Sequence, residues 1–324
     1  MKYNITATLG PASKNETIWR GMISEGVTSF RLNTSHMTAD ETEEMVKRIL
    51  EFCSKENTDV PVVLDLQGSK WRLGTIETHE LKEGETVELR FSESSHSINV
   101  LPVPHEDFFK AAEASGSEIV LNDAKAVLGV ETVTHNSIKT RVKKGGPVSS
   151  RKGITFSSSG FRSESLKKKD HDIISRMGSY KNVRYAVSYV KDAEEMKRYR
   201  ELIGSDAYII AKLERGDAIM DAVRIKDYCN ELWLCRGDLG AELGLRKMAE
   251  TAADFSVTVK DISCPVYLAG QVLEHMASFP EPTRSEVSYI YESLKKGYSG
   301  IVLSDETAVG KSPIETCRIA SMFR

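Results

Sequence analysis

Residues 184–214, RYAVSYVKDAEEMKRYRELIGSDAYIIAKLE, decide the fold class. A run of apolar and β-branched residues (184–190) passes into strong helix formers with apolar residues three and four apart (192–204), and an apolar run returns at 208–214. Gly204 stands where a helix end prefers glycine. A strand, a helix and a second strand in this order are the unit from which parallel sheets are built.

The unit recurs along the chain. The other apolar runs are NITATLG (4–10), TSFRLN (28–33), PVVLDLQG (61–68), ELWLCRG (231–237), CPVYLAG (264–270) and GIVLSDE (300–306). Helical-period segments such as 16–26, 40–57 and 284–297 lie between them. Eight strands alternating with helices predict an α/β chain closed as a TIM (β/α)8 barrel, not an open doubly wound sheet. One interval breaks the rhythm. ELKEGETVELRF (80–91), EIVLNDAKAVLGVETV (118–133) and NSIKTRVKKGG (136–146) alternate with period two and carry turn glycines, which predicts a small β domain inserted after the third strand. The expected division is a catalytic barrel of 1–74 and 153–324 with an inserted lid of 75–152, hinged at RLGTIE (72–77) and SSRKGITFSSSG (149–160).

Composition bounds the function. With 324 residues, 40% hydrophobic and 28% charged, the chain has ample material for a core. Its 44 basic and 47 acidic residues give a net charge of −3, which argues against nucleic acid or an anionic membrane as partner. Any anion site must then be local. The five cysteines show no C-x-x-C spacing and read as reduced thiols, which fits the cytoplasm. The N-terminal MKYNITATLGPAS lacks a long apolar core, so neither a signal peptide nor a membrane span is expected.

In such a barrel the chemistry belongs at the C-terminal ends of the strands. Arg31, Asn33, Ser35 and His36 follow the second strand; Asp65, Gln67, Lys70 and Arg72 the third; Ser188 and Lys191 the fourth. Lys212 and Glu214 close the fifth, Arg236 and Asp238 the sixth, Gln271 the seventh, and Ser304, Asp305 and Glu306 the eighth. Two carboxylates on consecutive strand ends, Glu214 and Asp238, can hold Mg2+ or Mn2+. Set beside Lys212, Arg31 and Arg72 they point to phosphoryl transfer, which needs cations and a divalent metal more than covalent chemistry. DETAVGKS (305–312) fits a phosphate loop except that Asp305 replaces its first glycine, so that reading fails. No G-x-G-x-x-G is present to support dinucleotide binding.

TATLGPAS (6–13), RLNTSH (31–36), LDLQGSKWRLG (64–74), SSRKGITF (149–156), IIAKLE (209–214), LCRGDLGAE (234–242), EPTRSEV (281–287) and VLSDETAVG (302–310) together resemble the pyruvate kinase family over essentially the whole chain. The resemblance implies a barrel with a small β-barrel domain inserted after the third strand. It implies that Lys212 neutralises the transferring phosphoryl group, that Glu214 and Asp238 carry Mg2+ or Mn2+, and that Arg31 and Arg72 grip phosphate oxygens. Gly237 and Asp238 would hold the substrate carboxylate through their backbone. Pro11, His36 and Lys152 would line the site of ADP or ATP. The implied partners are small molecules, phosphoenolpyruvate or a 2-oxo acid and a nucleotide, with a homo-oligomer formed through barrel faces.

The chain departs from the family pattern in four places. At the monovalent-cation site Asn33, Ser35 and Asp65 are kept, but Leu66, Gln67 and Lys70 resemble the potassium-independent branch, in which a lysine ammonium stands in for K+. Gly270, in AGQVLEHM, replaces the threonine of the proton relay, and it implies slowed turnover or a bulkier substrate. Lys191, Arg215 and Asp305 stand where arginine, asparagine and glycine are usual. The sequence stops at Arg324, from which the family's C-terminal regulatory domain, and allosteric control by sugar phosphates, are expected to be missing. Two alternatives remain beside the kinase: a metal-dependent 2-oxo acid decarboxylase or aldolase, motivated by Gly270, and a catalytically weak ligand-binding homologue.

Overall fold

The structure is a computed structural model and describes residues 1–115, 118–122, 125–156 and 166–324. Eight parallel strands close into a barrel: Asn4–Leu9, Ser29–Asn33, Val62–Leu66, Val183–Val187, Tyr208–Leu213, Glu231–Cys235, Val266–Ala269 and Gly300–Leu303. Each pairs with the next in sequence, and the last returns to the first through Asn4 opposite Gly300. The α/β barrel read from the periodicity is the observed fold.

The strands are buried on both faces, as parallel strands wrapped by helices must be. Their interior carries Val63, Ala186, Ile210, Trp233, Tyr267 and Val302 as one apolar cluster. The helices are placed by amphipathic stripes. Ala39–Lys55 buries Val46, Ile49, Phe52 and Cys53, and its start is fixed by a capping box between Thr38 and Glu41. Trp19, from helix Glu16–Ser24, meets Phe52 edge-on at 5.4 Å and is fully buried. Burial of such a side chain is worth about 1.5–3 kcal/mol. Arg284–Lys295 opens with a second box, Thr283 and Glu286.

By internal contacts the chain divides into two compact units, Met1–Gly68 with Leu166–Arg236 and Thr251–Arg324, and Ser69–Ser165 with Gly237–Glu250. The second unit holds a six-stranded sheet in the order Ile154–Phe156, Glu118–Leu121, Ala126–Thr134, Ser137–Lys144, Thr86–Arg90 and Val100–Pro102, and a two-stranded ribbon of His79–Leu81 and Gly146–Val148. It has its own core, in which Trp71, Phe108 and Phe156 pack ring against ring. Helix Glu106–Ser115 has no counterpart in the sequence reading, which saw only strands in this interval. The return hinge was read as 149–160; its residues 157–160 lie outside the described residues. No helix among the described residues is long and apolar enough to cross a membrane.

Candidate active site

The second, third, fourth and fifth strands and the residues just after them bring five ionic and polar groups together inside the barrel unit. Asp65 is the last residue but one of the third strand, opposite Asn33 on one side and Ala186 on the other. Arg31 donates to Asp65 Oδ2 from Nε at 2.8 Å and from Nη2 at 2.5 Å. Lys212 Nζ lies 3.0 Å from Asp65 Oδ1, 2.9 Å from Ser188 Oγ and 2.9 Å from Glu214 Oε1. Ser188 Oγ donates to the same Asp65 Oδ1 at 3.0 Å, and the Tyr189 N–H donates to Glu214 Oε2 at 2.8 Å. Asp65, Glu214 and Lys212 are all buried.

Burial alone would raise the Asp65 carboxyl, but the adjacent Lys212 and Arg31 cations outweigh it and hold the group far below the ordinary carboxylate range. For Lys212, burial favours the neutral amine, and Asp65 and Glu214 reverse that, so its ammonium is held well above the usual lysine range. Arg31 is pushed the same way by Asp65, against burial. Two cations and two carboxylates thus form a balanced set in a dry place, where electrostatic interactions are stronger than in water. Arg31 also donates from Nη1 to Thr8 Oγ1 at 2.7 Å. Three of its N–H groups are thereby directed, out of the five a guanidinium carries.

The turn after Asp65 is fixed from below. Asp170, fully buried at the start of helix Lys168–Met177, accepts the N–H of Gln67 at 3.2 Å and of Gly68 at 3.0 Å. Gly68 has φ +62, and a Cβ there would stand 2.1 Å from the Ser188 carbonyl oxygen, so only glycine lets the turn close onto the fourth strand. Leu66 is buried beneath it. Asn33 Oδ1 accepts the Ser35 N–H at 3.2 Å, and Ser35 is buried while His36 is exposed. Pro11 opens a short turn of 3-10 helix directly after the first strand and is exposed.

Gly270 follows the seventh strand with φ +77, and Gln271 follows with φ +55. Arg236 seizes this turn, donating to the Gly270 carbonyl from Nη2 at 2.6 Å and from Nε at 3.1 Å, and to the Gln271 carbonyl at 2.8 Å. Its guanidinium sits 4.6 Å from the Tyr289 ring centre. Glu306 braces the same region, accepting the N–H of Leu273 at 3.1 Å and of Ser304 at 2.9 Å. Lys191 lies beside the cap of helix Ala193–Ile203, Arg215 is buried, and Asp305 begins the short helix Asp305–Ala308.

In the second unit Lys70 forms an ion pair with Asp238, both largely buried. The stem of Lys70 crosses Gly153, where a Cβ would stand 2.7 Å from Lys70 Cε. Arg72 donates to the Arg151 carbonyl at 2.8 Å, while its buried Nε has no hydrogen-bond partner among the described residues. A buried guanidinium donor left unpaired is a cost that an anionic ligand would remove. Lys152 neighbours this contact and gives its carbonyl to Leu73 N at 2.9 Å. Gly237, next to Asp238, has open space where a Cβ would stand.

Three contributors escaped the sequence reading. Thr8 is signalled only by the alternation of Thr6 and Thr8 along the first strand; Asp170 and the backbone N–H of Tyr189 carry no local signal. Mg2+ takes oxygen ligands, keeps several waters, and needs one or two carboxylates plus substrate oxygens. Glu214 in the first unit and Asp238 in the second are each an oxygen donor of that kind, and each is ion-paired with a lysine of its own unit.

The fold and the charged strand ends define a closed parallel α/β barrel with buried lysine, arginine and carboxylates at the C-terminal ends of its strands. Residues 1–317 match the model of the pyruvate kinase barrel domain. A pyruvate kinase of Thermotoga maritima is 32% identical, the match covering 98% of this chain and 69% of that one, and one from Agrobacterium vitis is 30% identical over 98% and 67%. The crystal structure of a pyruvate kinase from Cryptosporidium parvum superposes with a TM-score of 0.84 at 24% identity, covering 99% of this chain and 68% of that one. The chain belongs to the pyruvate kinase family. It spans about two thirds of the length of these relatives, and its membership supports a phosphotransferase.

Proposed function

We propose that the protein moves a phosphoryl group between phosphoenolpyruvate, or a related enol or hydroxy acid, and ADP or ATP, with Mg2+ or Mn2+. The observation that carries this reading is the Lys212 ammonium held within 3.0 Å of Asp65, Ser188 and Glu214. That lysine is a fixed cation that needs no reorganisation when charge develops on a transferring group. Arg31 and Arg72 supply further N–H donors to phosphate oxygens. Because Arg31 and Lys212 are already balanced by Asp65 and Glu214, a bound phosphate needs added positive charge, which a divalent ion supplies. Glu214 and Asp238 are the residues that would hold that ion.

Gly237 and Asp238 would meet the substrate carboxylate through their backbone, and Pro11, His36 and Lys152 would line the nucleotide. Potassium is not required in this reading. Asp65, with Asn33, Ser35 and Leu66 at the matching cation positions, already receives Arg31, Lys212 and Ser188, and Lys70 brings a tethered ammonium to Asp238. We place the activity in the cytoplasm, on the ground of five free thiols.

The turn at Gly270 favours one second reading. It offers no hydroxyl to an enolpyruvate, and its carbonyl is already taken by Arg236, so the metal and enolate site could instead serve a 2-oxo acid decarboxylase or aldolase. Calorimetry with oxalate, which mimics the enolate of pyruvate, tests the common core. Binding that requires Mn2+ and weakens in Glu214→Gln is expected; equal binding without metal would overturn the proposal.

A further inference from the structure

Tyr189 lies two residues beyond the fourth strand, in the turn that leads to helix Ala193–Ile203. It is buried, and its φ of +62 falls in the left-handed region. Among the described residues it is the only aromatic one with a positive φ. For an L-residue that conformation presses Cβ toward the following carbonyl oxygen, and a bulky side chain keeps it only where the surroundings over-determine it. Residues held in this way cluster at functional sites.

The turn is anchored on both sides of Tyr189. Before it, the Ser188 hydroxyl is tied to Lys212 Nζ at 2.9 Å and to Asp65 Oδ1 at 3.0 Å, and the Ser188 carbonyl lies against Gly68. After it, the Lys191 N–H donates to Glu195 Oε2 at 2.6 Å. Glu195 is a fully buried carboxylate whose other oxygen accepts the Tyr199 hydroxyl at 2.5 Å. The Ala193 N–H donates in turn to Asp221 Oδ2 at 2.8 Å. With both ends held and the ring buried, the left-handed residue makes a sharp bend. The chain leaves for the helix while the Tyr189 N–H stays on Glu214 Oε2 at 2.8 Å.

We propose that Tyr189 is a positioning residue for the carboxylate of Glu214: its buried ring holds the left-handed backbone, and that backbone holds the N–H on Oε2. The inference rests on Glu214 serving the divalent ion, as proposed above. Glu214 Oε1 pairs with Lys212 Nζ at 2.9 Å, so with Oε2 on Tyr189 both oxygens are directed before any ion arrives. A glutamate left free would lose its rotamer freedom on binding the ion, and here that cost is met by the fold. The N–H is neutral, so it orients the carboxylate without cancelling its charge. Hydrogen-bond partners behind a metal-binding side chain are worth about 10–100-fold in metal affinity.

The test compares Tyr189→Gly with Tyr189→Ala in the full chain by Mn2+ titration without substrate, the free ion being counted by electron paramagnetic resonance. Both variants lose the ring, but glycine takes a positive φ freely and alanine does not. Tyr189→Gly should therefore bind Mn2+ about tenfold more tightly than Tyr189→Ala. A residue that merely fills the core predicts no difference or the reverse order, because glycine gives the chain more freedom than alanine. An ester in place of the peptide bond between Ser188 and Tyr189 removes the N–H and keeps the ring, so it decides the matter even if both side-chain variants fail to fold. It should weaken Mn2+ binding about tenfold. Binding by Tyr189→Ala as tight as by Tyr189→Gly, or wild-type affinity in the ester variant, would overturn the positioning role alone. A wild-type chain that binds no Mn2+ would overturn the metal reading of Glu214, and this role with it.

Discussion

Asp65 Oδ1 accepts a hydrogen bond from Lys212 Nζ at 3.0 Å, joining two buried residues 147 positions apart. The other Asp65 oxygen takes the Arg31 fork. One carboxylate therefore holds two of the three cationic side chains that the proposed chemistry uses, and its removal should cost structure as well as activity.

Asp65→Asn leaves two buried cations facing each other with Glu214 as their remaining counter-charge. Breaking a buried ion pair by removing one partner costs about 3–5 kcal/mol. The pH dependence has a definite sign. The folded Asp65 carboxyl is held far below its unfolded value of about 3.9, so its contribution is complete above that pH and is lost as the pH falls further. Urea midpoints of wild type and Asp65→Asn should differ by a constant amount between about pH 5 and 8 and converge below about pH 4. A difference that grows with acidity would contradict this.

Gly270→Thr should fail as a restoration of the proton relay. A non-glycine residue held at positive φ costs about 1–3 kcal/mol, and a β-branched residue such as threonine is a poor fit to that conformation. With φ at +77 and its carbonyl bound by Arg236, the turn would have to rebuild to present a hydroxyl. Lower stability with no gain in turnover is expected from denaturation and kinetic assays; a tenfold or greater rise in turnover at unchanged stability would show that the turn adapts.

Lys70 gives a salt prediction. The wild-type enzyme should turn over equally in K+ and Na+, because the tethered ammonium already neutralises Asp238. Lys70→Met should lose activity in Na+ and recover part of it in K+. Strong stimulation of the wild type by K+ over Na+ would remove this account of Lys70.

Asp170→Ala removes the acceptor of the half-buried Gln67 N–H and of the buried Gly68 N–H, the latter at about 1–3 kcal/mol. The turn carrying Asp65 should loosen, so the variant should melt earlier and bind oxalate with Mn2+ more weakly than Glu306→Gln, which disturbs a different strand end. Unchanged oxalate affinity in Asp170→Ala would show that the turn does not need this brace.

The barrel was legible because every unit carries its own signal, as Arg184–Glu214 does in passing from strand to helix to strand. The inserted sheet was legible from alternation in Thr86–Arg90 and Ser137–Lys144. Helix Glu106–Ser115 was not, because its apolar residues Phe108 and Phe109 are adjacent and it is short, wedged among strands. The charged strand ends could be named from the sequence, but not their partners. Asp65 reads as a cation-site residue in sequence, whereas in space it binds Arg31 and Lys212, contacts 34 and 147 residues away that no local pattern encodes. Asp170 belongs to the same class, since its partners lie across the barrel surface in another segment.

The central claim is that Lys212 stabilises a transferring phosphoryl group, and a coupled assay with phosphoenolpyruvate, ADP and Mg2+ tests it most directly. Removing one preorganised electrostatic donor costs about 10²–10³ in turnover. Metal-dependent pyruvate formation in the wild type that falls by at least that factor in Lys212→Met, with the variant still folded, is the predicted result. Equal turnover in Lys212→Met and wild type would contradict the account.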